Sequence, residues 1–347
     1  MRGKKLSYKK SGVNIDTANE AKQKMVEILA TNNARVLNKV GAFASLFDVA
    51  FPEYKHPVLV LKTEEPGSKQ KLALEHGSVE TICYDLVNHL VNDAIVMGAK
   101  PLSVQDCIVC GKLEKEVVLN MVSALSAACR ENSAVLTGGE TSEQPDVVPA
   151  GTYILTASIV GVVEKENIID GSKIREGDVV LALASNGVHT NGFSLIRKML
   201  DANPKIADEM IEGKTFIETI LTPHRAYYNS LKDLFARDGL VGLAHITGGG
   251  IKENLNRILP DSLGAEIDLS KLKVLPIFSV LKKYGTLEDA DMLRTFNMGV
   301  GIAAVVRKEF ASGVIEHMKK SGVDAYEIGV IKKGNKDVIF TGQLRWS

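Results

Sequence analysis

Asp85, Asn88, His89, Asn92 and Asp93 are spaced so that, at about 100° per residue, they share one polar stripe about 140° wide on a helix. The rest of that helix is apolar: Leu86, Val87, Leu90, Val91, Ala94, Ile95, Val96 and Met97. A helix that is oily over most of its circumference is largely buried, so the stripe is the informative part. Two carboxylates two turns apart, with amides between them, suit a divalent cation and its phosphate ligand; a solvated face is the plainer alternative. Upstream, the apolar run His56 to Thr63 reads as a buried strand that empties into Glu64-Glu65-Pro66-Gly67-Ser68-Lys69. Such a loop can present carboxylate to a metal, and backbone N–H, hydroxyl and ammonium groups to phosphate, although a simple turn has the same composition. Downstream, the strand from Ala134 ends in Gly138-Gly139 and Glu140, where paired glycines can approach an anion and the acid can take a metal or a ribose hydroxyl; a tight turn fits equally.

The second half of the chain has two further places of this kind. The buried strand Asp178 to Ser185 runs into Asn186-Gly-Val-His-Thr-Asn-Gly-Phe, a glycine-broken loop opening a helix, in which backbone N–H groups collect an anion. His189 in that loop is a candidate acid/base or phosphate donor, or a hydrogen-bonded structural residue. Ala244-His245-Ile-Thr-Gly-Gly-Gly places three glycines, Gly248 to Gly250, just before a helix, a pattern that suggests close backbone approach.

These residues need a scaffold, and 347 residues suit two domains, divided near Asp170 into 1–170 and 171–347. Elements expected in order are a helix from about Thr17 to Thr31 capped by Asp16, the strand ending at Thr63, and the striped helix. A strand over Ser103 to Cys110, a helix from about Glu114 to Glu131 and a strand from Tyr153 to Val163 follow. Thr222-Pro223 is expected to start a helix from His224 to about Arg237, and Gly299 to Val306 reads as a strand before a helix over about 308–320 and two short strands. Lys+Arg and Asp+Glu both number 42, so no net field attracts nucleic acid or an anionic membrane. Apolar runs are shorter than the roughly 20 residues of a span, and the basic start lacks the apolar core of an export signal, which favours a soluble, cytoplasmic protein. Cys107 and Cys110 form a C-x-x-C, but on a strand positions three apart point to opposite faces and no second pair completes a metal site. Small buried thiols are expected there and at Cys83 and Cys129.

Several blocks stand out when taken in order: Ser7-Tyr-Lys-x-x-Gly-Val, Asp85-Leu-Val with Val91-Asn-Asp93, Gly98-Ala-x-Pro-Leu102 and Gly138-Gly-Glu-Thr in the first half. Ser185-x-Gly-x-His-Thr-Asn-Gly-Phe-Ser-Leu, Ala244-His-Ile-Thr-Gly-Gly-Gly and Arg294-Thr-Phe-Asn-x-Gly-Val-Gly follow in the second. In this order they resemble the phosphoribosylformylglycinamidine cyclo-ligase (aminoimidazole ribonucleotide synthetase) family. The resemblance implies a two-domain α/β (α+β) protein whose N-terminal sheet domain binds ATP and Mg2+ and forms a homodimer interface, with a C-terminal α/β domain for a ribonucleotide substrate. The activity implied is ATP-dependent closure of the imidazole ring. In its terms Glu64, Asp85 and Asp93 would hold the metal, and Gly67, Ser68, Asn92, Gly138, Gly139 and Glu140 the nucleotide. Ser185, Asn191, Thr247, Gly248, Gly249 and Gly250 would bind substrate, and Lys69, His189 and His245 would act in catalysis. The sequence departs from the family in the first half. The usual Thr-Asp-Gly-Val-Gly-Thr-Lys is Thr63-Glu-Glu-Pro-Gly-Ser-Lys69, which lengthens the metal-facing acid, adds a charge and stiffens the loop. Those departures support a second reading, a repurposed or inactive member of the same ATP-binding superfamily.

Overall fold

The computed structural model describes residues 15–38 and 40–346, and two sheets organise them. The Ser7-Tyr-Lys block lies outside the described residues. The first sheet is built from β1 (Pro57–Glu64), β2 (Lys100–Cys110), β3 (Val135–Glu143) and β4 (Tyr153–Glu164) in the order β1-β4-β2-β3. Only β2 and β3 pair in parallel, across the helix that joins them. Helices α1 (Ile15–Ile28), α2 (Lys69–Glu75), α3 (Val79–Ile95) and α4 (Lys115–Glu131) belong to this half, and α3 lies against β1, β4 and β2. Alternation along β1 follows from this one-sided cover: Lys62 and Glu64 are half-buried towards α3, while Leu59, Leu61 and Thr63 are exposed on the other face.

The second sheet contains β5 (Val179–Ala184), β8 (Leu240–His245), β9 (Leu263–Asp268), β10 (Val300–Val306), β11 (Ala325–Lys333) and β12 (Val338–Thr341) in the order β12-β9-β11-β5-β10-β8. A small hairpin, β6 (Met210–Ile211) with β7 (Lys214–Thr215), follows α5 (Phe193–Ala202). All seven residues of β10 are buried, which is why that strand reads as a continuous apolar run rather than an alternating one. The apolar core is continuous from Leu29 to Leu344 and so runs through both halves.

Three expectations need correction. The N-terminal helix already includes Ile15, so Asp16 lies within it rather than capping it. Strand β3 does not end at Gly138-Gly139 but continues to Glu143, because its backbone keeps pairing with β2 through Cys110. No helix spans His224 to Arg237; Tyr228–Leu231 is a single helical turn followed by a 3-10 turn over Lys232–Leu234. Side chains of the α3 stripe hold the backbone of this stretch from across the seam. His224 N–H donates to Asp85 at 2.7 Å and Tyr227 N–H to Asn92 at 3.1 Å. Asn88 donates to the His224 carbonyl at 2.7 Å, and Asn92 to that of Arg225 at 2.8 Å. The four cysteines are free thiols, with Cys83, Cys110 and Cys129 buried and Cys107 half-buried.

Candidate active site at the seam of the two halves

The stripe of α3 faces the second half of the chain, and there it meets a histidine from each of three segments. His245, at the end of β8, donates Nδ1–H to Asp93 Oδ1 at 2.7 Å. Burial alone would raise the pKa of Asp93, but this bond and the neighbouring His245, His89 and Lys62 hold its carboxyl well below the usual range. Since Asp93 is ionised and only accepts, Nδ1 of His245 carries a hydrogen. Its Nε2 lies 3.0 Å from Nε2 of His224, so a hydrogen lies between the two rings. The remaining nitrogen of His224 lies 3.5 Å from Thr190 Oγ1, and that hydroxyl lies 3.1 Å from Nδ1 of His89. His89 closes the ring, with Nε2 3.7 Å from Asp93 Oδ2 and 3.8 Å from Glu64 Oε2.

His189 stacks on His224 with ring centroids 3.9 Å apart. Asn186 donates its amide to the Pro223 carbonyl at 2.9 Å, which turns its oxygen towards Nε2 of His189 at 3.0 Å. The other nitrogen, Nδ1, is buried without a hydrogen-bond partner among the described residues. Burial, reinforced by mutual repulsion, holds His189 and His224 well below the ordinary histidine range and pushes His89 down to about 4. All three rings are therefore neutral at neutral pH and offer lone pairs rather than charge.

The loop after β1 reaches the same place. A Cβ on Gly67, where φ is +65°, would lie 3.5 Å from the Thr190 carbonyl, and Ser68 Oγ lies 3.1 Å from Ser194 Oγ. Asn191 comes near the glycine run, its Oδ1 3.5 Å from where a Gly248 Cβ would sit. Gly250 has a structural reason to be glycine: with φ at +62°, a Cβ would meet the Leu293 carbonyl at 1.8 Å. Asn254 gathers the carbonyls of Thr247, Gly248 and Gly250, which holds that loop open as a turn. Ser185 is buried and bonds to Asn297 and to the Gly187 carbonyl, so it shapes the 185–188 loop from behind.

Other expected site residues are placed differently. Lys69 and Asp85 are fully buried against each other, Nζ lying 2.8 Å and 2.9 Å from the two carboxylate oxygens, with the Thr222 carbonyl as a further acceptor at 2.9 Å. Burial works against both charges, raising the carboxyl pKa and lowering the ammonium pKa, and their contact offsets it. In this structure Asp85, expected as a metal ligand, is the partner of Lys69, and Lys69, expected to meet phosphate, is a buried brace. Asn92, expected to meet nucleotide, holds backbone with both ends of its amide. Gly138, Gly139 and Glu140 sit in the ladder of β3 instead of a turn, and Gly139 is glycine because a Cβ would lie 2.2 Å from the Asp106 carbonyl.

Two of the three expected metal acids remain together. Glu64 Oε2 and Asp93 Oδ2 share one cation, the ammonium of Lys62, 3.0 Å from each. The donor set suits magnesium, which is commonly held by one or two carboxylates with phosphates and water completing the octahedron, and the ammonium marks the point where positive charge is wanted. His89, His224, Thr190 and Lys62 were not singled out by motif. His89 was visible on the stripe, whereas His224 was hidden in an expected helix and Lys62 in an apolar strand.

The AIR synthase related protein families match this chain over residues 49–163 for the N-terminal domain and 175–342 for the C-terminal domain. Phosphoribosylformylglycinamidine cyclo-ligase of Methylobacillus flagellatus is 39% identical over 329 residues, 94% of each chain. That of Burkholderia cenocepacia is 41% identical over 330 residues, covering 94% of this chain and 93% of the relative. Among solved structures, E. coli HypE superposes with a TM-score of 0.69 at 16% identity over 94% of each chain. HypE in complex with ATP gives 0.66 at 14% identity over 91% of this chain and 88% of that one. Thiamine-monophosphate kinase from Stenotrophomonas maltophilia gives 0.63 at 16% over 94% and 96%. At such identities the structural likeness shows the fold alone.

Proposed function

The chain belongs to the phosphoribosylformylglycinamidine cyclo-ligase family, and from that premise we propose that it closes the imidazole ring of aminoimidazole ribonucleotide at the expense of ATP, in purine biosynthesis. Relatives at 39–41% identity over nearly the whole chain favour this over a repurposed or inactive member. In the reaction the family implies, the formamide oxygen of the substrate takes the γ-phosphoryl group, the internal amine attacks the activated carbon, and phosphate leaves. The observation that carries the reading is the Asp93–His245–His224 chain at the seam, where groups from both halves meet.

Closing the ring releases a proton from the attacking amine. A carboxylate behind an imidazole compensates the charge formed when the ring takes up a proton, and Asp93 stands behind His245. Because Nε2 of His245 faces Nε2 of His224, the proton would reach it through His224, which takes it at Nδ1 and passes on the hydrogen between the two rings. The orphan Nδ1 of His189 is a spare acceptor buried beside this chain. Glu64 and Asp93 would hold the magnesium ion, which neutralises charge on the transferred phosphoryl group. Gly67 and Ser68 lie where they could meet phosphate, and Asn191, Thr247, Gly248 and Gly249 where they could meet the ribonucleotide. Residues 1–170 would serve nucleotide, metal and dimerisation and 171–347 the substrate, in a cytoplasmic homodimer. Among the described residues no helix is long and apolar enough to cross a membrane.

The test is ADP formation that depends on formylglycinamidine ribonucleotide, measured for the parent, Asp93→Asn and Glu64→Asp. Asp93→Asn should slow turnover by on the order of 10²-fold or more, as removal of an electrostatic stabiliser does. Glu64→Asp restores the family's usual residue and should keep or raise the rate. A folded parent that makes no ADP with this substrate would sink the cyclo-ligase reading.

A further inference from the structure

Each carboxylate oxygen of Glu64 and Asp93 already faces a donor from the chain itself. Glu64 Oε1 accepts the N–H of Glu65 at 3.0 Å, and Asp93 Oδ1 accepts His245 Nδ1–H at 2.7 Å. The two oxygens left, Glu64 Oε2 and Asp93 Oδ2, converge on Lys62 Nζ at 3.0 Å each, nearer than His89 Nε2 at 3.8 and 3.7 Å. A divalent ion ligated by the same oxygens needs them at about 2.0–2.1 Å, which places it against the ammonium, where like charges repel strongly. Ion and ammonium are alternative occupants of one position. Lys62 is free to leave it: its stem is flexible, its side chain is 37% exposed, and it stands on β1 two residues ahead of the loop expected to meet phosphate.

We propose that Lys62 is a built-in counter-cation that fills the divalent position of the nucleotide-free protein, and that a polyphosphate, by drawing the ammonium to its own oxygens, opens that position to the metal. Metal binding is then coupled to nucleotide binding through one side chain. The proposal rests on the reading of Glu64 and Asp93 as metal ligands. The two ideas fail differently in one experiment, Mn2+ binding to the full nucleotide-free chain followed by calorimetry. The parent should bind Mn2+ weakly and Lys62→Met at least tenfold more tightly, while Lys62→Arg, which keeps the charge, should stay as weak as the parent. The gain should vanish in Lys62→Met/Asp93→Asn. Melting in chelator verifies that each variant is folded, and Lys62→Met, with two uncompensated acids, should melt below the parent there and recover with Mn2+. Equal Mn2+ affinity of parent and Lys62→Met, including no measurable binding by either, overturns the counter-cation. A gain that survives Asp93→Asn overturns the ligand assignment instead.

Discussion

An ammonium with no exposure to water persists only against a matched anion, and Lys69 has Asp85 on one side and the Thr222 carbonyl on the other. Removing one member leaves the other charge buried and alone. Lys69→Met should therefore destabilise the protein by about 3–5 kcal/mol in urea unfolding, and Lys69→Met/Asp85→Leu should recover much of that loss. If the single variant unfolds like the parent, the pair is not the brace its geometry makes it. The imidazoles give a second prediction at this scale. Their depressed pKa values mean that the unfolded chain binds more protons as pH falls, so their contribution is present above the unfolded value of about 6.5 and is lost towards pH 4. Asp106, pushed by burial up to about 7, works in the opposite sense: its contribution is present below about 4 and is lost as pH rises through 7. Three rings outweigh one carboxyl, and the melting temperature should fall from pH 6.5 to 4.5. Asp106→Asn should raise it most at pH 8, less at pH 5 and little at pH 4. A flat profile between pH 7 and 5 would contradict burial of neutral rings.

At the scale of elements, α3 does two jobs with one polar stripe. Asp93 and His89 face the site, whereas Asp85, Asn88 and Asn92 hold the backbone of His224, Arg225 and Tyr227, with His224 beside His245. Asn92→Asp loses the donor to Arg225 and places a second acceptor against that carbonyl, so it should cost on the order of 1–3 kcal/mol of stability. Nucleotide affinity of the folded variant should stay near the parent's; a selective loss of nucleotide binding with stability intact would return Asn92 to the ligand set. The periodicity of α3, the apolar runs of β5 and β10 and the glycine loops before α5 and α8 were legible in the sequence, because burial writes itself into local pattern, whereas β1, read as a buried strand, is half-buried on one face and exposed on the other. What the stripe faced was not legible, since carboxylate and amide serve a metal or a neighbouring backbone with the same chemistry. Only tertiary contact separates Asp85 from Asp93. Residues 224–227 were hidden for a related reason: the side chains that hold their backbone stand more than 130 positions away in the chain.

For the whole molecule, the first sheet has one face sealed by α3 and the other bare over part of its width. On the bare side Leu61 is 69% exposed, Leu59 48% and Ile154 38%, with Phe51, Leu102 and Val162 forming only a small separate cluster at one end. Strands β1 and β3 are its open edges. A hydrophobic face with unpaired edges invites a second copy, and a two-fold dimer would bury the same residues of each subunit against their counterparts. Because Lys62, Glu64 and the loop to Ser68 continue directly from Leu61, such a dimer would also stiffen the strand that presents the carboxylates. Light scattering of the parent at micromolar concentration should give about twice the 37.5 kDa chain mass. Leu61→Arg puts a charge where the second copy's apolar face would lie, and since Leu61 is exposed in the single chain, it should shift the mass to that of a monomer while far-UV circular dichroism stays unchanged. A parent already at 37.5 kDa, or a Leu61→Arg protein that remains double, would show that this face does not join two copies.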